Sequence, residues 1–197
     1  VYSLTAVMNK IEGILLSIIV VISVFYIQKV YLEVSYVIST VDGEKYLVRN
    51  SEGKQTAANI LARLNSKIEK LIKHLLEKYP QDARVIRLSK NYKRENISEG
   101  TESSNYTSYS VNKGEKIIFC VRERDKSGDF VSENVLMYVA THELGHLMTE
   151  EVGHTDTFWS NFKMLLEEAI NINVYTHVDY SKSPTTYCGI NIKSSII

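Results

Sequence analysis

The hydrophobic pattern opens with one uninterrupted apolar run, ILLSIIVVISVFYI, from Ile14 to Ile27. As a helix this run is about 21 Å long, and extended to Ile11–Tyr31 it reaches about 31 Å, the thickness of a bilayer's hydrocarbon core. Glu12, Gln28 and Lys29 fall near the ends of the longer span. Lys29 can snorkel to the headgroups, and Tyr26 and Tyr31 suit an interfacial aromatic belt. The bulky continuation VFYIQKVYLEV offers no small-residue cleavage site. The segment therefore reads as an uncleaved signal-anchor, single-pass, occupying residues 1–32. Lys10 and Lys29 flank it on opposite sides and set no orientation. The chain begins with Val1 rather than Met, as expected where the start of the protein lies upstream.

The pattern then changes period. EVSYVISTVDGEKYLVRN alternates around Asp42-Gly43, a hairpin signal. From Gln55 to Tyr79 the apolar residues Ile60, Leu61, Leu64, Ile68, Leu71, Ile72, Leu75 and Leu76 recur at helical steps, and Pro80 ends the helix. ARVIRLS reads as a short strand. KRENISEGTESSNYTSYS is a polar loop with glycosylation-type triplets at Asn96 and Asn105, a pattern that arises often by chance. TSYSVNKGEKIIFCVRER predicts a second hairpin turning at Asn112 to Gly114. Ser132 is a candidate N-cap for a largely apolar helix through Leu147, with Gly153 as its stop. A last helix starts near Asp156, its inner face marked by Phe158, Phe162, Leu165, Leu166, Ala169 and Ile170. After Tyr180 no periodicity stands out. The expected architecture is α+β: an N-terminal transmembrane helix, then one domain over residues 33–197.

Composition narrows the function classes. Lys+Arg and Asp+Glu balance at 23 each, so global charge gives no case for nucleic-acid binding. Cys120 and Cys188 form no CxxC knuckle, and spacing alone does not assign a bridge between them. Thirteen tyrosines fit ordinary strands and interfaces.

The chemistry lies in THELGHLMTEEVGHTDTFW. His142 and His146 are four apart, so on a helix they share one face and can reach one zinc ion at about 2.0–2.1 Å. Glu143 is turned by roughly 100°, beside the metal rather than on it, where it can take a proton from water. A buried pair without metal is the bland alternative, but polar side chains on an apolar helix are costly without a partner. A third ligand is needed, and either His154 after Gly153 or a carboxylate from Glu167 or Glu168 can supply it. Asp156 can steady a ligand imidazole or simply cap its own helix. His177 and Tyr187 are the positional candidates for an oxyanion stabiliser.

HELGHLMTEEVGHTDTFW resembles the WLM and SprT-like group of zinc metallopeptidases, which pair HExxH with a third histidine and then a Phe- or Trp-containing helix. The stretch from 105 to 192 also resembles WLM-like proteins of large DNA viruses, which often carry an N-terminal membrane segment. The resemblance implies a zincin-like fold, with a small sheet packed on the HExxH helix and further helices. It implies Zn2+ as cofactor, His142, His146 and His154 as ligands, and Glu143 as general base. Seven residues separate His146 from His154, slightly more than in many cellular WLM proteins. KIIFCVRE is the expected strand beside the active-site helix, an edge that binds extended peptide by strand addition, with Cys120 a small buried hydrophobe on it. The expected function is a membrane-anchored zinc metallopeptidase acting on a polypeptide substrate, held through its N-terminal segment in a lipid bilayer, the virion membrane being one candidate. Capsid or other virion proteins are further partners. The alternative is a structural virion or membrane protein that keeps the fold without proteolysis.

Overall fold

The computed structural model describes residues 4–101, 106–124 and 128–197. Asn105 of the second triplet, and the side chains of Lys10, Lys29 and Tyr31, lie outside the described residues.

Helix α1 (Leu4–Glu33) is 30 residues long. Its window Ile11–Gln28 has a mean hydropathy of 2.2, and none of it is buried against the rest of the chain. This N-terminal apolar helix is long and apolar enough to cross a bilayer. It runs without a linker into β1 (Val34–Ile38), which pairs antiparallel with β2 (Lys45–Arg49) through the Asp42-Gly43 turn.

Helix α2 (Lys54–Lys78) follows the predicted helical steps, with Ile60, Leu61, Leu64, Ile68, Leu71, Ile72 and Leu75 buried. Its face covers the sheet on one side and packs on α4 (Glu133–Met148) and α5 (Asp156–Asn171) on the other.

The segment read as a strand, ARVIRLS, is instead helix α3 (Ala83–Asn91). Two local features decide this. Asp82 caps it by accepting from the Arg84 backbone N–H at 2.8 Å, and Val85 and Leu88, three apart, form its buried stripe. The helix also serves α4: Arg87 donates to the Met148 carbonyl at 3.1 Å and Asn91 to that of Leu147 at 2.9 Å. Those carbonyls have no partner within their own helix.

The polar loop hides β3 (Ile97–Glu99), preceded by a 3-10 turn at Arg94–Asn96. Glu99 is buried and accepts from the Arg49 backbone N–H at 2.8 Å and from Arg122 Nε at 2.9 Å. Asn96, first residue of the other triplet, spends its amide on the Gly114 carbonyl at 2.8 Å.

Strands β4 (Tyr109–Val111) and β5 (Lys116–Phe119) form the second predicted hairpin. Gly114 sits in its turn at φ 115°, and a Cβ there would meet the Asn91 carbonyl oxygen at 2.4 Å, so the turn seats directly on α3. The five-stranded sheet runs β1-β2-β3-β5-β4, with β3 parallel to both neighbours. The strand of KIIFCVRE is therefore interior. The edge beside the active-site helix is β4. The aperiodic tail contains a separate antiparallel pair, β6 (Thr185–Tyr187) and β7 (Ile190–Ile192). Cys120 is buried as expected, and it is bridged to Cys188, which ties this hairpin to the end of β5.

Candidate metal centre and active site

Helix α4 starts where predicted. Ser132 caps it by accepting from the Val135 N–H at 3.3 Å, and Glu133 pairs with Arg63 at 2.5 Å and Lys67 at 2.9 Å on α2. It ends at Met148, with Thr149 as C-cap, so Gly153 is not its stop. Gly153 lies in the loop beyond, at φ 90°, and His154 follows it.

That loop returns His154 to the helix. One ligand atom from each of His142, His146 and His154 lies within 4.8 Å of the others, and the Nε2 atoms of His142 and His154 are 3.1 Å apart. The three imidazoles converge as a tridentate donor set of the kind that holds zinc with a fourth position open. Burial, then the neighbouring His146 and His154, holds the His142 imidazole down at about 3. Burial, then His154 and Lys113, holds His146 down at about 4. Both rings are thus neutral near pH 7, the form a metal requires.

Glu143 is buried beneath the edge strand, where Ser110 of β4 bonds it through side chain and backbone. Burial pushes its carboxyl up to about 7, against the opposing pull of those Ser110 hydrogen bonds. A carboxyl poised there can both accept and return a proton at neutral pH. A cleft of about 570 Å3 opens over the three imidazoles and Glu143, with Ser108 to Ser110 and Lys113 along its other side. Lys113 fixes the far rim by donating to the Thr149 carbonyl at 2.8 Å and that of Glu151 at 2.6 Å.

The remaining candidates fall as follows. Glu168 bonds His74 at 2.7 Å, Lys78 at 2.7 Å and Tyr79 at 2.8 Å on and just after α2, and Glu167 is exposed, 3.9 Å from Lys163. Neither joins the imidazole cluster. Asp156 is the exposed first residue of α5, and the cap is Thr155, which accepts from Phe158 N–H at 3.3 Å. Tyr187 lines a second recess beside His142 and Glu143, its hydroxyl paired with that of Ser108. His177 is exposed, with Nε2 3.3 Å from the Ile197 carbonyl oxygen.

Ser110 and Phe158 are the site residues that sequence reasoning missed in these roles. Phe158, expected only as core, lies under all three imidazoles, at 4.9 Å from His142, 4.4 Å from His146 and 4.7 Å from His154 between ring centroids. The helical apolar stripe of α5 was the available signal. Nothing local marked Ser110, because its contact with Glu143 depends on sheet placement.

A sheet whose edge strand flanks an HExxH helix, with a third histidine returned by the following loop, defines a zincin-like metallopeptidase fold. The chain belongs to the WLM domain family, whose model matches residues 41–194. The WLM family is a family of zinc-dependent proteases, and the three-histidine cluster fits that metal. The chain is 35% identical over 187 residues to an uncharacterised protein of Acanthamoeba polyphaga mimivirus, covering 93% of this chain and 94% of that one. It is also 37% identical over 70 residues to an uncharacterised protein of Invertebrate iridescent virus 6, covering 34% of this chain and 38% of that relative. Among solved structures, Wss1 from Saccharomyces cerevisiae matches with a TM-score of 0.50 at 20% identity, over 64% of this chain and 88% of that one. That likeness bears on the fold.

Proposed function

We propose that the protein is a membrane-anchored zinc metallopeptidase that hydrolyses peptide bonds of a polypeptide presented at a membrane or virion surface. The observation that carries this reading is the pairing of a three-imidazole set with a buried, proton-competent carboxyl, Glu143, facing one open cleft. A purely structural zinc site has no use for such a carboxyl. His142, His146 and His154 hold the metal. When bound, zinc supplies a Lewis acid that polarises a carbonyl and lowers the pKa of water to about 7.

The chain's own residues supply the rest. Glu143 accepts the proton of the attacking water and delivers it to the departing amine. Ser110 keeps that carboxylate aimed into the cleft. Strand β4, as the free edge, offers its main chain to an extended substrate. Tyr187, beside Glu143, is the candidate to steady developing negative charge. Helix α1 holds this domain in the bilayer.

The test is Glu143→Gln in the full chain, zinc-loaded in detergent, against membrane and virion polypeptides and unstructured peptides. The expected result is unchanged zinc content with cleavage reduced roughly 10²–10⁴-fold, and parent cleavage lost on chelation. Cleavage that survives Glu143→Gln overturns the assignment. A zinc-loaded parent that cleaves nothing favours the non-proteolytic structural alternative.

A further inference from the structure

Between α4 and the β6–β7 hairpin lies a recess of about 160 Å3 that opens beside His142 and Glu143. Its apolar walls are Tyr138 and Val139 from α4, Tyr187 from β6, and Ile190 and Ile192 from β7, with Thr107, Ser108, His142 and Glu143 at its polar side. It is separate from the cleft over the three imidazoles but shares Ser108, His142 and Glu143 with it. Its volume matches the ~150 Å3 cavity in which an apolar protein site accommodates a benzene ring.

We propose that this recess is a specificity subsite, receiving one large aliphatic or aromatic side chain (Leu, Met or Phe) of the residue next to the bond being cut. The proposal rests on the peptidase reading and names its substrate class. Position is the first argument. Val139 lies three and four residues before His142 and Glu143, on the same helical face. A side chain seated against it therefore belongs to a residue adjoining the carbonyl that Glu143 serves.

Chemistry is the second argument. These five walls are aliphatic or aromatic, and among the described residues Glu143 is the only carboxyl lining the recess, with no Lys or Arg. An acidic side chain entering here gives up its water for no described cation, a Lys or Arg meets only the carboxyl that the proton transfer needs, and an Ala or Gly leaves the space unfilled. Ile190 is 49% exposed, so β7 presents aliphatic surface to solvent beside the catalytic carboxyl, and a seated side chain covers it.

The third argument is rigidity. Two strands of three residues do not hold their place alone. Here the wall is fixed by the Cys120–Cys188 bridge, by the Cys188 N–H donating to Glu123 at 2.8 Å, and by the Tyr187–Ser108 hydroxyl pair. A subsite selects by shape only if its walls stay put.

The experiment uses the zinc-loaded full chain in detergent with a peptide library varied on both sides of a central bond, cleavage being mapped by mass spectrometry. On one side of the bond, kcat/KM for Leu, Met and Phe should exceed that for Ala, Asp and Lys by about tenfold or more. Ile192→Trp, which fills the recess, should move the preference to Ala and Gly. Ile190→Arg, at a half-exposed position, should raise acceptance of Glu and Asp; unchanged melting and zinc content confirm that both variants fold. Cleavage equally tolerant of Lys, Asp and Leu on both sides overturns the subsite and leaves the peptidase standing. If no peptide is cut, binding of uncut peptides to the zinc-loaded protein decides. A Phe or Leu peptide binding about tenfold tighter than its Ala counterpart, with the gap lost in Ile192→Trp, upholds the recess although the peptidase reading has failed. Equal binding overturns both.

Discussion

Phe158 lies stacked on His146, ring centroids 4.4 Å apart and planes inclined by 27°. The same ring meets His142 and His154 at steeper angles of 69° and 70°. One apolar side chain from α5 thus floors all three candidate ligands, keeping water off their lower faces and fixing their mutual angles. Room for it comes from Gly145, where a Cβ would stand 3.0 Å from Phe158 Cε2.

Gly145→Ala is therefore expected to loosen the metal site although alanine is the better helix former by about 1 kcal/mol. The ring must shift by a few tenths of an ångström, and the imidazoles shift with it. Zinc affinity should fall roughly tenfold, at the lower end of what supporting residues around a metal contribute. Competition against a calibrated chelator reads this directly, and an affinity equal to the parent's refutes the flooring role.

The ligand set makes a sharper prediction. His154→Ala should lower zinc affinity by roughly 100-fold or more, beyond the range set by supporting residues. Glu167→Ala and Glu168→Ala should bind one zinc per chain as the parent does. Loss of zinc in Glu168→Ala with retention in His154→Ala would reassign the third ligand to the carboxylate.

Much of this site is legible in the sequence because its central part is local. His142, Glu143 and His146 sit within two turns of one helix, and helical geometry alone places them. His154 follows from a glycine that lets the chain turn back. The fold is less legible where long-range partners decide. Strand β3 carries one apolar residue, Ile97, and a buried glutamate, Glu99, which only Arg49 and Arg122 from distant segments make tolerable. Helix α3 is too short for its period to stand out against the alternation of ARVIRLS, and its cap and its bonds to α4 settle the matter. The tail hairpin is marked mainly by its bridge to Cys120, a pairing that sequence spacing does not assign.

The anchor is open to direct measurement. Helix α1 exposes Ile14, Leu16, Ile22, Phe25 and Tyr26, and none of the window Ile11–Gln28 is buried against the described residues. The full chain should stay with membranes through high salt and alkaline carbonate, whereas a version starting at Glu33 should be released. A full chain extracted by carbonate would remove the bilayer from the proposal and require another cover for this apolar surface.

The ion cluster at Glu168 gives the domain a predictable response to acid. Burial disfavours the charged carboxylate, but hydrogen bonds from Lys78, His74, Tyr79 and Asn171 outweigh it and hold the carboxyl at about 2, against an ordinary 4.5. A carboxyl whose folded value lies below its unfolded one binds fewer protons when folded. Its contribution is complete above about 4.5, and it is lost as pH falls toward 2. With Lys78 partly exposed, the contribution is on the order of 2 kcal/mol. Glu168→Gln should therefore melt several degrees below the parent at pH 6 to 7. The two melting curves should converge as pH drops from about 4.5 toward 3, because the parent loses what the variant never had. A gap that stays constant over that range would mean that the variant's loss comes from packing rather than from the ionised carboxylate, and the link between this cluster and acid sensitivity would fail.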